Sequence, residues 1–405
     1  MRFWFKRVFV HYGYDLPKDA PIIFASTHPN SAIDYLFSPL VHNQPTYVLV
    51  RGDVFEKPAL NKIFRAIFML PVYRFRDGFA SLNKNEQSFK ECYNTFDKNG
   101  NVLIFSEGVC IQEKVLQPLR KGTARIALDY LHKHGGKKIY VVSQAISYTQ
   151  FRKFRTSAMV NFGTAIDATQ YNDLYAQNPN KAYEALTADI TKSLEKDFII
   201  EKNYNDDSIT EKALMALRLT FNNSGTNWIQ HDRSRFELEN KLVEKLNAVG
   251  DDALSAQWKQ KAKDLNLNPK NEGLLSEDYS KIGLIIKMIT LAPFVFMSSL
   301  TVFLPKILTR WIIKNKIKDI IFHNTITVIG SVLIYLIQSL ILLLVGLGLA
   351  GIYGIALPMM SIILTMIGIE VMDEYRLAKY NWRNIDHKSG FEYLHQEVKK
   401  LIEKD

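Results

Sequence analysis

Between residues 24 and 40 the chain reads FASTHPNSAIDYLFSPL: an apolar strand, then His28, then Asp34 six positions later. A second strand and loop, NVLIFSEGVC, carries Glu107 and Gly108 just past an apolar run, and the LRKG that follows brings Arg120 and Lys121. Imidazole is the side chain best able to take a proton near neutral pH. A carboxylate bonded to its Nδ1 would fix the tautomer and leave Nε2 as the base. With an acidic-glycine loop and a basic turn nearby, this set is suited to deprotonating an alcohol beside a phosphate.

The spacing constrains the backbone. On one regular helix, six residues would set His28 and Asp34 about 240° apart, on nearly opposite faces. Pairing therefore requires His28 in the loop ahead of a helix, with Pro29 at the first helical position and Asp34 one to two turns in. Alone, such a pair is better read as structural than as catalytic. Its neighbours add to it. Arg120 and Lys121 precede a helix starting near Thr123, and a helix N-terminus presents free N–H groups and positive dipole to a phosphate. LPVYRFRDG offers Arg74 and Arg76, and the planar guanidinium fork suits a phosphomonoester better than an ammonium does.

The elements that must position these groups are legible as runs. PIIFAST, PTYVLVRG, NVLIFSEG, KIYVVSQAIS and SAMVNFG read as strands, most of them too apolar to face water on one side. Helical patterns over 32–41, 59–68, 80–97 and 122–132 separate them. The expectation for residues 1–200 is an α/β domain with a buried, mostly parallel sheet flanked by helices. Residues 201–280 turn polar, with apolar positions at three-and-four spacing, and read as a cytosolic helical segment.

Residues 326–369 carry no Asp, Glu, Lys or Arg. As one helix the run would be roughly 66 Å long, about twice the ~30 Å hydrocarbon core, so a hairpin of two spanning helices is expected, turning near Gly346, Gly348, Gly351 and Gly354. The earlier run 282–304 holds Lys287 and Pro293. The loop after it holds Lys306, Arg310, Lys314, Lys316 and Lys318, which the positive-inside rule assigns to the cytoplasm. A single crossing by 282–304 would put that loop outside, so this run is expected to be re-entrant or interfacial; a plain third crossing is the alternative. The membrane region then covers 281–370, and 371–405 form a cytosolic tail.

The net charge of +10 implies an anionic partner. Long apolar runs without aromatic-basic interleaving favour a lipid bilayer and phosphorylated substrates over nucleic acid. Two cysteines, Cys92 and Cys110, give neither a disulfide framework nor zinc-ligand spacing. Cys110 reads as a structural thiol, His132 and His134 as an exposed helix end, and Tyr130 and Tyr148 as packing residues. There is no G-x-S-x-G elbow and no nucleotide-binding glycine motif, which disfavours serine hydrolases and nucleotide cofactors.

THPNSAIDYLFSP, LPVYRFRDG, FSEGVCIQEKVLQPLRKGTARIAL and VVSQAISY resemble the four ordered blocks of the PlsC-type glycerolipid acyltransferases. They are more similar to the branch with a His-x5-Asp spacing, which includes membrane glycerol-3-phosphate acyltransferases with a C-terminal membrane region. KNKIKDIIFHNTI also resembles that branch. The resemblance implies that His28 is the general base, that Asp34 orients it, and that Arg74 contacts the acceptor's phosphate. Glu107 and Gly108 would shape the same pocket, with a further contact from Lys121 or Arg120. Attack would be direct, with no acyl-enzyme, metal or cofactor. The donor would be acyl-CoA or acyl carrier protein. The acceptor would be 1-acyl-glycerol-3-phosphate, giving phosphatidate, or alternatively glycerol-3-phosphate. The chain would be integral to the membrane, with its catalytic domain on the cytoplasmic face. A catalytically silent lipid-binding protein on the same fold is the other class of reading. Thr27, Ser106 and Ser143-Gln144 depart from the usual blocks without removing a catalytic group.

Overall fold

The computed structural model describes residues 2, 4–13, 15–37, 45–73, 79–136, 138–221 and 227–404, excluding the side chains of 79–84 and 251. Arg74 and Arg76 therefore lie outside the described residues.

The apolar runs do form strands. β1 (Phe5–Tyr12), β2 (Ile22–Ser26), β3 (Thr46–Arg51), β4 (Met69–Val72), β5 (Asn101–Phe105), β6 (Tyr140–Tyr148), β7 (Thr156–Phe162), β8 (Ile166–Asp167) and β9 (Ile229–Gln230) build one sheet. Its order is β4-β3-β5-β2-β6-β7-β1-β9, with β8 on β6. Pairing is parallel except where β6 meets β7 and β8. Alternate side chains enter opposite layers, as the two-residue period of a strand requires. Ile23, Ala25, Val102, Ile104 and Val141 pack with Cys92, Phe96, Leu128 and Leu186 of the helices Phe79–Phe96, Gly122–Lys133 and Pro179–Asp197. Ile22, Phe24, Leu103 and Val142 face Phe5, Ile33, Phe37 and Val160. Burial on both faces is why these strands read as continuous apolar runs rather than alternating ones.

The polar stretch after residue 200 forms helices Ile209–Leu217, Ser234–Val249 and Ala256–Asp264, and also supplies β9. The C-terminal helix Lys388–Glu403 packs among them, where Trp258 Nε1 donates to the Leu394 carbonyl at 3.0 Å. Arg218 and Arg235 converge on the fully buried Glu239 at 2.6 and 3.0 Å. Burial alone would raise that carboxyl, but the two guanidinium groups pull it down to about 2.

Helix Lys281–Lys316 is continuous through Pro293 and Pro305 and runs antiparallel to helix Ala356–Asn384. Thr301 and Thr365 share a hydroxyl hydrogen bond of 2.7 Å, and Lys287 Nζ donates to Glu374 at 2.6 Å. Gly368 lets the helices touch, since a Cβ there would lie 2.0 Å from that of Ser298. Pro305 has no N–H for the Thr301 carbonyl one turn earlier, and Gln338 of helix Ser331–Ala350 donates to that oxygen instead, at 2.9 Å. Outward-facing Phe296, Leu300, Phe303, Leu336, Leu344 and Met366 are exposed. Two helical stretches, Lys281–Lys316 and that beginning at Ile320, are long and apolar enough to cross a bilayer.

Candidate active site

Strand order brings the two chemical loops together. β2 and β5 are parallel neighbours, with Ser26 opposite Phe105, so the loops carrying His28 and Glu107 leave the same edge of the sheet side by side. β6 flanks β2 on its other side and extends past Ser26, which is paired with Gln144, to Tyr148. The carboxyl ends of parallel strands are where open α/β sheets gather their ligands.

His28 Nδ1 lies 2.9 Å from Asp34 Oδ2. Since that carboxylate oxygen accepts, Nδ1 carries the proton and Nε2 is left to take one. The imidazole stacks on Phe105, with ring centroids 3.8 Å apart, and its side chain is 17% exposed. Asp34 is fully buried and held by two further donors. The Asn30 N–H reaches Oδ2 at 2.7 Å, and the Tyr148 hydroxyl reaches Oδ1 at 2.5 Å. Burial and the charge of Asp34 push the Tyr148 phenol far above its usual range, so it stays a donor.

The backbone route differs from the expected one. Pro29 does not open the helix. The helix is Ala32–Tyr35, and Ser31 ahead of it takes φ 53°, a left-handed conformation that costs free energy in a residue other than glycine. The turn is held by Asp34 N–H to the Ser31 carbonyl at 3.1 Å and by Ser31 N–H to Cys110 Sγ at 3.1 Å. That tight turn, rather than a longer helix, brings Asp34 back to His28. Burial raises the Cys110 thiol to about 12, consistent with its reading as structural.

Glu107 is buried, and its carboxyl accepts the His28 N–H at 3.0 Å and the Gln117 N–H at 3.2 Å. It thereby ties the loop of the base to the loop leading to LRKG. Gly108, at φ 67°, makes the turn after it, and a Cβ there would meet Arg120 Cγ at 3.3 Å. Arg120 is exposed, and its N–H donates to the Ser106 carbonyl at 2.8 Å. Lys121 begins helix Gly122–Lys133, but its ammonium pairs with Glu184 at 2.6 Å on the surface. The structure thus gathers His28, Asp34, Glu107 and Gly108, leaves Arg120 at the rim and turns Lys121 to the solvent-side pair. Tyr148 and Asn30 are additional site residues. Only the register of β6 against β2 brings Tyr148 in.

Burial raises Glu107 to about 7, against the pull of the two N–H groups, with the charge of Asp34 adding to the rise. Between the ordinary value of 4.5 and about 7 the folded chain holds a proton that the unfolded chain has released. Glu107 therefore contributes stability that is full below 4.5 and is lost as pH rises through about 7. Thermal unfolding followed from about pH 5 to 7.5 should show this fall in the parent and a flatter profile in Glu107→Gln.

The structure thus sets an imidazole, oriented by a buried carboxylate, at the carboxyl edge of a mostly parallel sheet. Residues 7–147 match the family model described as Acyltransferase. Glycerol-3-phosphate O-acyltransferase 2 of Saccharomyces cerevisiae is 28% identical over 129 residues, 32% of this chain and 17% of that enzyme. The chain thus matches a small part of that relative's length. A solved structure, the 1-acyl-sn-glycerophosphate acyltransferase PlsC of Thermotoga maritima, gives a TM-score of 0.32 at 14% identity, over 46% of this chain and 71% of that one. Residues 7–147 thus carry an acyltransferase-family domain.

Proposed function

We propose that the chain transfers a fatty acyl group from a thioester to the free hydroxyl of 1-acyl-glycerol-3-phosphate, making phosphatidate. The observation that carries the transfer chemistry is the His28–Asp34 pair at 2.9 Å with Asp34 held by two further donors. His28 Nε2 takes the hydroxyl proton as the acceptor oxygen attacks the thioester carbonyl. The C–O bond forms, the C–S bond breaks, and His28 returns the proton to the departing thiolate. The Asp34 carboxylate faces the imidazolium as it forms and keeps its orientation. The N–H groups of His28, Asn30 and Ser31 are already committed, so the carbonyl oxygen's developing charge is met by donors outside this turn.

A lipid acceptor is favoured by where the site sits, in contact with the segment that joins two apolar helices. Glycerol-3-phosphate is the second reading, favoured by the name of the yeast relative. The basic positions 306–318 support a cytoplasmic-face domain by the positive-inside rule, with 282–304 re-entrant or interfacial; the continuous helix Lys281–Lys316 favours the alternative of a third crossing. Acyl-CoA or acyl carrier protein is the donor. Offering both acceptors with both donors in parallel tests the assignment. Phosphatidate from lysophosphatidate is the expected product, and faster acylation of glycerol-3-phosphate would replace the first reading by the second. Arg74 is assigned to the acceptor's phosphate, so Arg74→Ala should raise the acceptor KM about tenfold or more while leaving the donor KM near its parent value. An unchanged acceptor KM would remove Arg74 from that role.

A further inference from the structure

The turn His323–Thr325 lies between helices Lys281–Lys316 and Ser331–Ala350, almost three hundred residues from the His28 loop. Its Asn324 is only 4% exposed. Asn324 Nδ2 donates to Asn30 Oδ1 at 2.9 Å and to the Phe151 carbonyl at 2.5 Å. Asn30 in turn donates its N–H to Asp34 Oδ2 at 2.7 Å, the same oxygen that takes the His28 Nδ1 proton. Three consecutive hydrogen bonds thus run from the apolar helical region to the imidazole. The loop holding Phe151 is gripped a second time, where the Arg155 guanidinium donates to Asp373 of helix Ala356–Asn384 at 2.7 Å with both groups nearly buried.

We infer that Asn324 is a positioning residue for the His28–Asp34 pair, so that the base is aligned only when the apolar helices are seated on the α/β domain. This rests on the reading of His28 as the base. The oxygens that Asn324 bonds each have another donor, Gln112 Nε2 at 3.2 Å on Asn30 Oδ1 and Asn30 Nδ2 at 3.2 Å on the Phe151 carbonyl. Removing Asn324 therefore leaves no buried acceptor orphaned, and its loss loosens the loop rather than the fold. A catalytic group displaced by a fraction of an ångström loses rate without losing substrate affinity.

The test is kinetics on full-length protein in lipid bilayers, normalised to folded protein, for Asn324→Ala, Asn324→Asp, Asn30→Ala and the Asn30→Ala/Asn324→Ala pair. Asn324→Ala should lower kcat about tenfold with both KM values within about twofold. Asn324→Asp should fall further, because a carboxylate would face two acceptor oxygens. The double variant, normalised to folded protein, should lose less kcat than the product of the two single losses, as two residues on one path require. A proton NMR signal from His28 Nδ1–H, assigned by its loss in His28→Gln, should move or broaden in Asn324→Ala. That signal reads the path even if the parent transfers no acyl group, which would sink the function and not the coupling. An unchanged kcat and an unchanged Nδ1–H signal in Asn324→Ala would overturn the inference, as would additive losses in the double variant.

Discussion

Replacing His28 by alanine is expected to lower kcat for acyl transfer by about 10²–10⁴-fold, the range that a positioned general base supplies. Both KM values should change little, because the imidazole meets the reacting hydroxyl and not the phosphate or the acyl chain. The fold has little stake in this side chain. It is partly exposed, its backbone N–H bond to Glu107 survives the substitution, and the stacking on Phe105 is the main packing lost. Steady-state kinetics on folded variant protein check this, and parent-like kcat would remove His28 from the chemistry.

Asp34→Asn is expected to cost about 10²-fold or more in kcat, again with modest change in KM. The asparagine oxygen can still take the His28 Nδ1 proton and the Asn30 N–H, and the Tyr148 hydroxyl can turn to accept from the new amide. What is lost is the negative charge that faces the imidazolium as it forms. In the flipped orientation the amide would instead meet the Asn30 N–H donor to donor. Tyr148→Phe removes one of three donors and keeps the charge, so its loss should be clearly smaller. If Asp34→Asn and Tyr148→Phe fell equally, the hydroxyl rather than the charge would be the controlling feature.

What could be read from the chain follows from how far apart the interacting groups lie. The strands carrying Ile23, Leu103 and Val142 announced themselves because both their faces are buried. His28 and Asp34 were visible as a pair because they are near in sequence. Their backbone route was not, since nothing in Asn30-Ser31-Ala32 signals a left-handed serine in place of a helix starting at Pro29. Tyr148 read as packing because only the parallel register of β6 on β2 sets its hydroxyl against Asp34. Glu107 was legible as a member of the site, but its bond to the His28 N–H depends on β2 and β5 being neighbours. Lys121 and Arg120 were equivalent as sequence. The helix start separates them, sending the lysine to Glu184 on the surface.

Lys287, a charge within the apolar run 282–304, is likewise answered at long range. Its ammonium finds Glu374 on the antiparallel helix, a partner 87 residues away that no local pattern reveals. The same pairing, together with Thr301 and Thr365, keeps the helix segment before Pro305 against the last long helix. Those contacts set where the Asn324 turn emerges, and hence where the catalytic loop is held.

The most direct test is a stoichiometric one on purified protein in lipid bilayers. Labelled acyl-CoA and acyl carrier protein donors are supplied separately with lysophosphatidate, and phosphatidate and free thiol are measured together for the parent and for His28→Ala. The parent should form phosphatidate and thiol one for one with at least one donor, and His28→Ala should lose both together. Thiol release without acylated product, or equal product from His28→Ala, would contradict base-assisted acyl transfer at this site.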